Sequence, residues 1–114
     1  MTAEFIPDAG DIIWLSLVSQ RNREQSGRRP FLVLSPRDYN AKTSLAVGVP
    51  VTSKQKGYPF EVALPPEGRI AGAALADRVK NLDWRARVAE HAQDASPATL
   101  REVRALIAAL LAIS

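Results

Sequence analysis

The chain of 114 residues carries fifteen Lys and Arg against twelve Asp and Glu, a formal charge of +3, with 46% hydrophobic and 24% charged residues. That is the composition of a globular protein able to bury a core, and its length suits one domain, expected over residues 1–114. With no cysteine, disulfides, thiolate metal sites and cysteine nucleophiles are excluded. His91 is the single histidine; a metal site built on it would need carboxylate partners that the sequence does not single out, so neither metal nor cofactor is expected.

The opening MTAEFIPDAG lacks the basic and apolar segments of a secretory leader, and the longest apolar run, ALIAALLAI at 105–113, is far short of the roughly 20 residues that span a bilayer. The expected location is the cytoplasm, away from membranes. After a turn at Pro7, Asp8 and Gly10, GDIIWLSLV reads as a strand. SQRNREQSGRR (19–29) has no apolar side chain and reads as a long exposed loop. PFLVLS (30–35) fits a buried strand, SPRDYNAKT a turn with one helical turn, and SLAVGVPVT (44–52) a further strand in which Pro50 suggests an edge or a bulge. A second polar loop, SKQKGY, leads to PFEVAL, and PPEG at 65–68 makes a turn. RIAGAALADRVKNLDWRARVAEH is expected to supply two short strands. One includes WRARV, whose alternation puts Trp84, Ala86 and Val88 on one face and Arg85 and Arg87 on the other.

The last segment changes period. Ser96 is a plausible N-cap, Pro97 suits the first helical position, and Leu100, Val103, Leu106, Ile107, Leu110 and Leu111 recur at helical spacing. Five or more short strands followed by one helix predict a small, mostly antiparallel barrel or sandwich. The apolar surface of the helix is broader than one such barrel needs, which points to burial against a second copy.

Positive charge is concentrated in the first polar loop, where Arg21, Arg23, Arg28 and Arg29 surround Glu24 and Gly27. Arginine forks match phosphate oxygens, and glycine admits a close approach of backbone to phosphate. Two readings stay open at this point: a solvated charged loop, or a grip on a phosphodiester. The second loop adds the hydroxyls of Thr52 and Ser53, the cations Lys54 and Lys56, and the Tyr58 ring for stacking. Two basic loops that each flank an apolar strand can meet in one groove. Asp77, Arg78 and Lys80, on an expected ADRVKN strand, line such a groove or form a cross-strand ion pair. Trp14 and Trp84 are expected in the core or an interface, and His91 is expected on the surface without a role.

In order and spacing, PDAGDIIW, EQSGRRPFLVLS, YNAKT, PVTSKQKGYPFEVAL, GAALADRVKNLDWRAR and the final helix closely resemble the MazF/PemK family of toxin–antitoxin ribonucleases, from about residue 6 to residue 112. The resemblance implies an SH3-like antiparallel β-barrel of the CcdB/PemK type with a C-terminal helix, and a homodimer. It implies metal-independent, sequence-specific cleavage of single-stranded RNA such as mRNA. The RNA's own 2′-hydroxyl attacks the adjacent phosphorus, leaving a 2′,3′-cyclic phosphate and a 5′-hydroxyl. It also implies a MazE-like antitoxin partner, whose acidic, flexible segment would occupy the basic groove.

By the same resemblance Arg29, Thr52 and Glu24 are the catalytic set. Arg29 would stabilise charge on the phosphoryl oxygens, and Thr52 would donate a hydrogen bond to one of them. Glu24 would act either as the base toward the 2′-hydroxyl or as the ion-pair partner that orients Arg29. Gly27, Arg28, Ser53, Lys54, Lys56, Tyr58, Asp77 and Arg78 would bind RNA. The family pattern places histidine immediately before the arginine; this chain has Arg28 there, a permanent cation suited to holding phosphate and not to shuttling protons. Two other classes remain as alternatives, each with one feature of the sequence against it. Gyrase-poisoning toxins of the same fold act through a C-terminal Trp-Gly-Ile, and this chain reads Ala112-Ile113-Ser114. A non-catalytic SH3-like nucleic-acid binder gains nothing from an acid such as Glu24 in its basic loop.

Overall fold

Ile12 and Ile13 are neighbours on one strand and both are fully buried, so the sheet that holds them has a core on each side. The computed structural model describes residues 4–16 and 27–113. Its strands are β1 (Asp11–Ser16), β2 (Arg28–Val33), β3 (Leu45–Thr52), β4 (Glu61–Ala63), β5 (Ala73–Leu75), β6 (Lys80–Asp83) and β7 (Glu90–Asp94). Helix α1 (Arg37–Thr43) lies between β2 and β3, and α2 (Pro97–Leu110) follows β7. The strands pair antiparallel in the order β4-β5-β3-β2-β1-β7, with β6 beside β3. The mainly β, antiparallel class with a C-terminal helix is as expected. The barrel is an open one: among the described residues no pair joins β4 to β7.

One core holds Ile12, Leu32, Val49, Val62 and Ala74, capped by Val103, Leu106 and Ile107 of α2. Ile12 and Val62 stand on strands far apart in the sheet order, so the sheet curls over this face. The other core holds Ile13, Leu15, Phe31, Val33 and Trp84, covered by Phe5 and Ile6. Burial on both faces explains why these strands read as continuous apolar runs with little alternation. At Gly48, a Cβ would fall 2.1 Å from the Leu32 carbonyl oxygen and 2.6 Å from the Phe31 ring, so only glycine lets β3 lie this close to β2.

β3 exchanges partners along one flank, pairing with β6 from Leu45 to Gly48 and with β5 at Val51 and Thr52. Pro50 sits in that gap, where the ladder is already broken and a missing N–H costs least. The edge or bulge suggested by Pro50 is thus replaced by a change of partner on one flank of an interior strand, which leaves the proline's missing N–H equally free of the ladder there.

Ser96 caps α2 as expected, its hydroxyl accepting from the Thr99 N–H at 3.1 Å, with Pro97 in the first turn. α1 is longer than the single turn expected, and its interior is pinned by Asn40. The Asn40 amide donates to the carbonyls of Pro7 (2.8 Å) and Ser35 (3.0 Å), and its Oδ1 accepts from the Ser35 hydroxyl (2.6 Å). The Asn40 carbonyl accepts from the Trp84 indole at 3.0 Å. A buried amide satisfied on every side fastens the start of the chain, α1 and the second core together.

The stretch 69–91, expected to supply two short strands, holds β5, β6 and the first residues of β7, and WRARV lies in none of them. Trp84 to Val88 form turns, and Val88 has a left-handed φ of 52°. Trp84 is drawn into the core toward Asn40 while Val88 stays exposed, so burial of one indole overrides the apparent two-residue period.

Candidate nucleic-acid interface

Arg28 and Arg29, expected in the loop, open β2. They face Ser16 and Leu15 of β1, so their backbones are set by the sheet. Their side chains differ in circumstance. The Arg28 guanidinium pairs with Glu90 and lies 5.3 Å from the centre of the Trp14 ring. The ion pairs of the described residues use Arg28, Arg37, Arg85 and His91 and leave Arg29 unpaired. Both arginines are exposed. The pair at Arg28 is therefore weak and open to exchange for a phosphate.

Thr52 closes β3, and three cavities meet at it. The first, of about 250 Å³, has an apolar floor of Leu15, Phe31 and Leu82 and a cationic rim of Arg29, Arg78, Lys80 and Arg87. The second, of about 530 Å³, lies among Thr52, Lys54, Lys56, Tyr58, Asp77 and Arg78. The third, of about 560 Å³, runs past Trp14, Arg28, Arg29, Ser53, Lys54 and Arg69. Arg29 and Thr52 border the first and third together, so the start of β2 and the second polar loop meet on one surface. The Thr52 hydroxyl accepts from the Lys54 N–H at 3.1 Å, which leaves its own proton to give to a ligand.

The second loop is shaped by Glu61 of β4, whose carboxylate accepts the N–H groups of Lys56 (3.0 Å) and Gly57 (3.1 Å) and so holds the Lys56 and Tyr58 side chains outward. Asp77 and Arg78 follow β5 in a turn and not on a strand. Asp77 forms no ion pair among the described residues; its Oδ2 accepts the Tyr58 hydroxyl at 2.5 Å. That hydrogen bond, with some desolvation and the charge of Asp77, raises the Tyr58 phenol above its ordinary value.

Glu24, with Arg21 and Arg23, lies outside the described residues. Gly27 is exposed just before β2. Arg87, read as the outer face of a strand, is instead placed by the 84–88 turn on the rim of the Arg29 cavity, and its guanidinium donates to the Ser16 carbonyl at 3.1 Å. Its proximity to Arg29 left no local trace in the sequence. The partners that His91 lacked in the sequence also exist: Asp94 lies 2.8 Å and Asp11 3.8 Å from its Nε2. Asp11 and Asp94 are register neighbours on β1 and β7, so the sheet alone brings them together. Burial raises the Asp11 carboxyl above its ordinary range, against the pull of a hydrogen bond from Asp8 and the nearby His91.

Residues 8–111 match the family model of the PemK-like, MazF-like toxin of type II toxin-antitoxin system. The chain is 44% identical over 111 residues to the endoribonuclease toxin MazF of Escherichia coli K12, covering 97% of this chain and 99% of that protein. Identity to an Escherichia coli endoribonuclease PemK is 31% over 108 residues, 91% of this chain and 81% of that one. In a crystal structure of MazE-MazF (Form-II) from Deinococcus radiodurans, one chain superposes with a TM-score of 0.92 at 49% identity, covering 97% of this chain and all of that one. By sequence along nearly its whole length and by fold, the chain belongs to the PemK-like, MazF-like toxin family of type II toxin–antitoxin systems.

Proposed function

We propose that the protein is the toxin of a type II toxin–antitoxin pair, an endoribonuclease that cuts single-stranded RNA at short sequences without a metal ion. The observation that carries this reading is the meeting of three cavities at Thr52, with Arg29 on two of their rims and cations around all of them, in a chain 44% identical to an endoribonuclease toxin. Cations at successive cavities suit the regular charge of a nucleic-acid backbone.

In the reaction, the 2′-oxygen bonds to phosphorus as the bond from phosphorus to the 5′-oxygen breaks. The 2′-proton passes to a base and the departing 5′-oxygen takes up a proton, giving the cyclic phosphate and a free hydroxyl. Arg29 and Thr52 stabilise the charge that builds on the non-bridging oxygens, the work that a metal ion does elsewhere. Glu24 keeps the two roles the family resemblance allows, base or orienting partner of Arg29. Arg28, Gly27, Ser53, Lys54, Lys56, Tyr58, Asp77 and Arg78 hold the strand on either side, and Arg87 joins them from the structure.

The partner is a MazE-like antitoxin with an acidic segment that competes for the same cationic surface, and the working unit is a homodimer in the cytoplasm. The test is single-stranded RNA incubated with the protein in excess EDTA. Discrete cuts ending in 2′,3′-cyclic phosphate are expected; intact RNA, or activity restored only by Mg²⁺ or Mn²⁺, would count against the reading.

A further inference from the structure

His91 is the single histidine of a chain without cysteine, and the sheet sets two carboxylates around it. Asp94 Oδ1 lies 2.8 Å and Asp11 Oδ1 3.8 Å from its Nε2, and the three donor atoms all fall within 4.8 Å of one another. In a regular strand, residues 91 and 94 would point to opposite faces. The β1–β7 pairing shifts, however: Ile12 faces Gln93 and Ile13 faces His91, so Ala92 is an extra residue on β7. That bulge turns His91 back to the side of Asp94, and the register sets Asp94 opposite Asp11.

The three side chains are held to different degrees. Asp11 is the inner one, 17% exposed, and its Oδ2 accepts the Asp8 N–H at 2.8 Å, which leaves Oδ1 turned toward the histidine. The His91 ring meets the Phe5 ring edge to face, with centres 5.9 Å apart. Asp94 is 82% exposed and can swing inward. Among the described residues neither Asp11 nor Asp94 pairs with a lysine or arginine. Two carboxylates therefore face one imidazole, and the cluster is short of positive charge whether or not that ring is protonated.

We propose that Asp11, His91 and Asp94 bind a divalent transition ion of the zinc class, which clamps β7 to β1 where β7 passes into α2. An ion about 2.1 Å from each donor holds its donors roughly 3.0–3.4 Å apart, so small rotations of His91 and Asp94 close the cluster on it. One imidazole nitrogen with two carboxylate oxygens suits zinc and its neighbours, whereas magnesium and calcium prefer oxygen alone. The Asp8 N–H supports Asp11 as outer hydrogen bonds support metal ligands generally. On binding, Nε2 turns its lone pair to the ion in place of a proton, and water fills the remaining positions. None of the three residues lines the cavities that meet at Thr52. The ion is thus structural, takes no part in the proposed cleavage, and is independent of the ribonuclease reading.

The test uses the full chain without a histidine tag, stripped of metal by chelation and dialysis. Zinc chloride, titrated calorimetrically, should bind saturably at one ion per chain with a dissociation constant on the order of micromolar, and should raise the melting temperature. Magnesium chloride at the same concentration should do neither. His91 gives the only histidine ring signals in a proton–nitrogen correlation spectrum, and zinc should shift them in step with the heat. Asp94→Asn, at an exposed position, should keep the metal-free melting temperature and weaken zinc binding tenfold or more; His91→Gln should abolish it. The absence of saturable binding, or equal binding of magnesium, would overturn the inference. So would zinc binding that leaves the His91 signals unmoved or that survives both substitutions. Calorimetry and spectra on the unaltered protein decide the matter even if a variant fails to fold.

Discussion

Gly72 lies directly against the Thr52 carbonyl: a Cβ on residue 72 would fall 1.9 Å from that oxygen, and its φ of +121° is one that side chains rarely adopt. The glycine precedes β5, which pairs with the end of β3 through Ala73 opposite Thr52. It therefore sets where the Thr52 hydroxyl stands. Gly72→Ala is expected to destabilise the fold by roughly 2 kcal/mol or more, through the clash and the strained φ together. Cleavage at saturating RNA should also slow at temperatures where the variant is fully folded. A thermal melt and single-turnover kinetics check both parts; an unaltered melt would show that β5 moves aside freely.

Arg28 and Arg29 are adjacent, equal in charge and differently engaged, the first paired with Glu90 and set over Trp14, the second without an ion pair among the described residues. If Arg29 acts on charge that develops only in the transition state, Arg29→Ala should lower the single-turnover rate by roughly a hundredfold or more with a smaller loss of RNA affinity. Arg28→Ala should bind RNA more weakly, with a salt dependence shallower by about one phosphate contact, and cleave at a near-normal rate once saturated. Equal rate losses would show that the pair acts as a unit.

Val79, Leu110, Leu111 and Ile113 are exposed, at 41%, 46%, 57% and 60%, and part of this surface frames an apolar cavity of about 330 Å³ with Leu34, Val47 and Ile107. Such a patch suits the proposed two-fold association. Light scattering at micromolar concentration should give a dimer mass, and Leu111→Glu should shift it toward the monomer. A monomer mass for the unaltered protein would refute the dimer.

The Tyr58 phenol, raised chiefly by its bond to Asp77, has a definite linkage sign. The interaction is fully present below the ordinary tyrosine value, 10.0, and is lost as pH rises through the higher folded value. In a Tyr39→Phe background, where Tyr58 is the remaining tyrosine, ultraviolet titration should place its ionisation above that of free tyrosine, and Asp77→Asn should bring it down. A Tyr58 that titrates like free tyrosine would mean that the hydrogen bond is not held in solution.

How much of this was legible beforehand follows from the range of the forces involved. Helix α2 was readable because a Ser96 cap, a proline at the first position and a repeat of apolar residues act within a few neighbours along the chain. β1, β2 and β3 were readable because burial on both faces leaves an unbroken apolar run, and Thr52 and the arginines stood out by residue type. Their convergence was not readable. Arg29, Thr52, Arg78 and Arg87 come from separate segments, gathered by the pairing of β2 with β1 and β3, the exchange of partners along β3 and the 84–88 turn, none of which a single segment encodes.

WRARV shows the limit most clearly. Its alternation is that of a strand, yet the Trp84 indole gains a buried place and a bond to the Asn40 carbonyl, 44 residues away in sequence, and the segment turns to let it in. The same turn carries Arg87 to the Arg29 cavity. Sequence by itself determined the class of fold, the helix and the kinds of side chain available to the proposed RNA surface, because those rest on local hydrogen bonding, on the total apolar surface to be hidden and on residue type. Tertiary structure alone decided that Arg28 meets Glu90 and Trp14, that Gly72 packs against the Thr52 carbonyl, and that Arg87 stands on the rim of the Arg29 cavity, because each depends on which distant segment passes within a few ångströms.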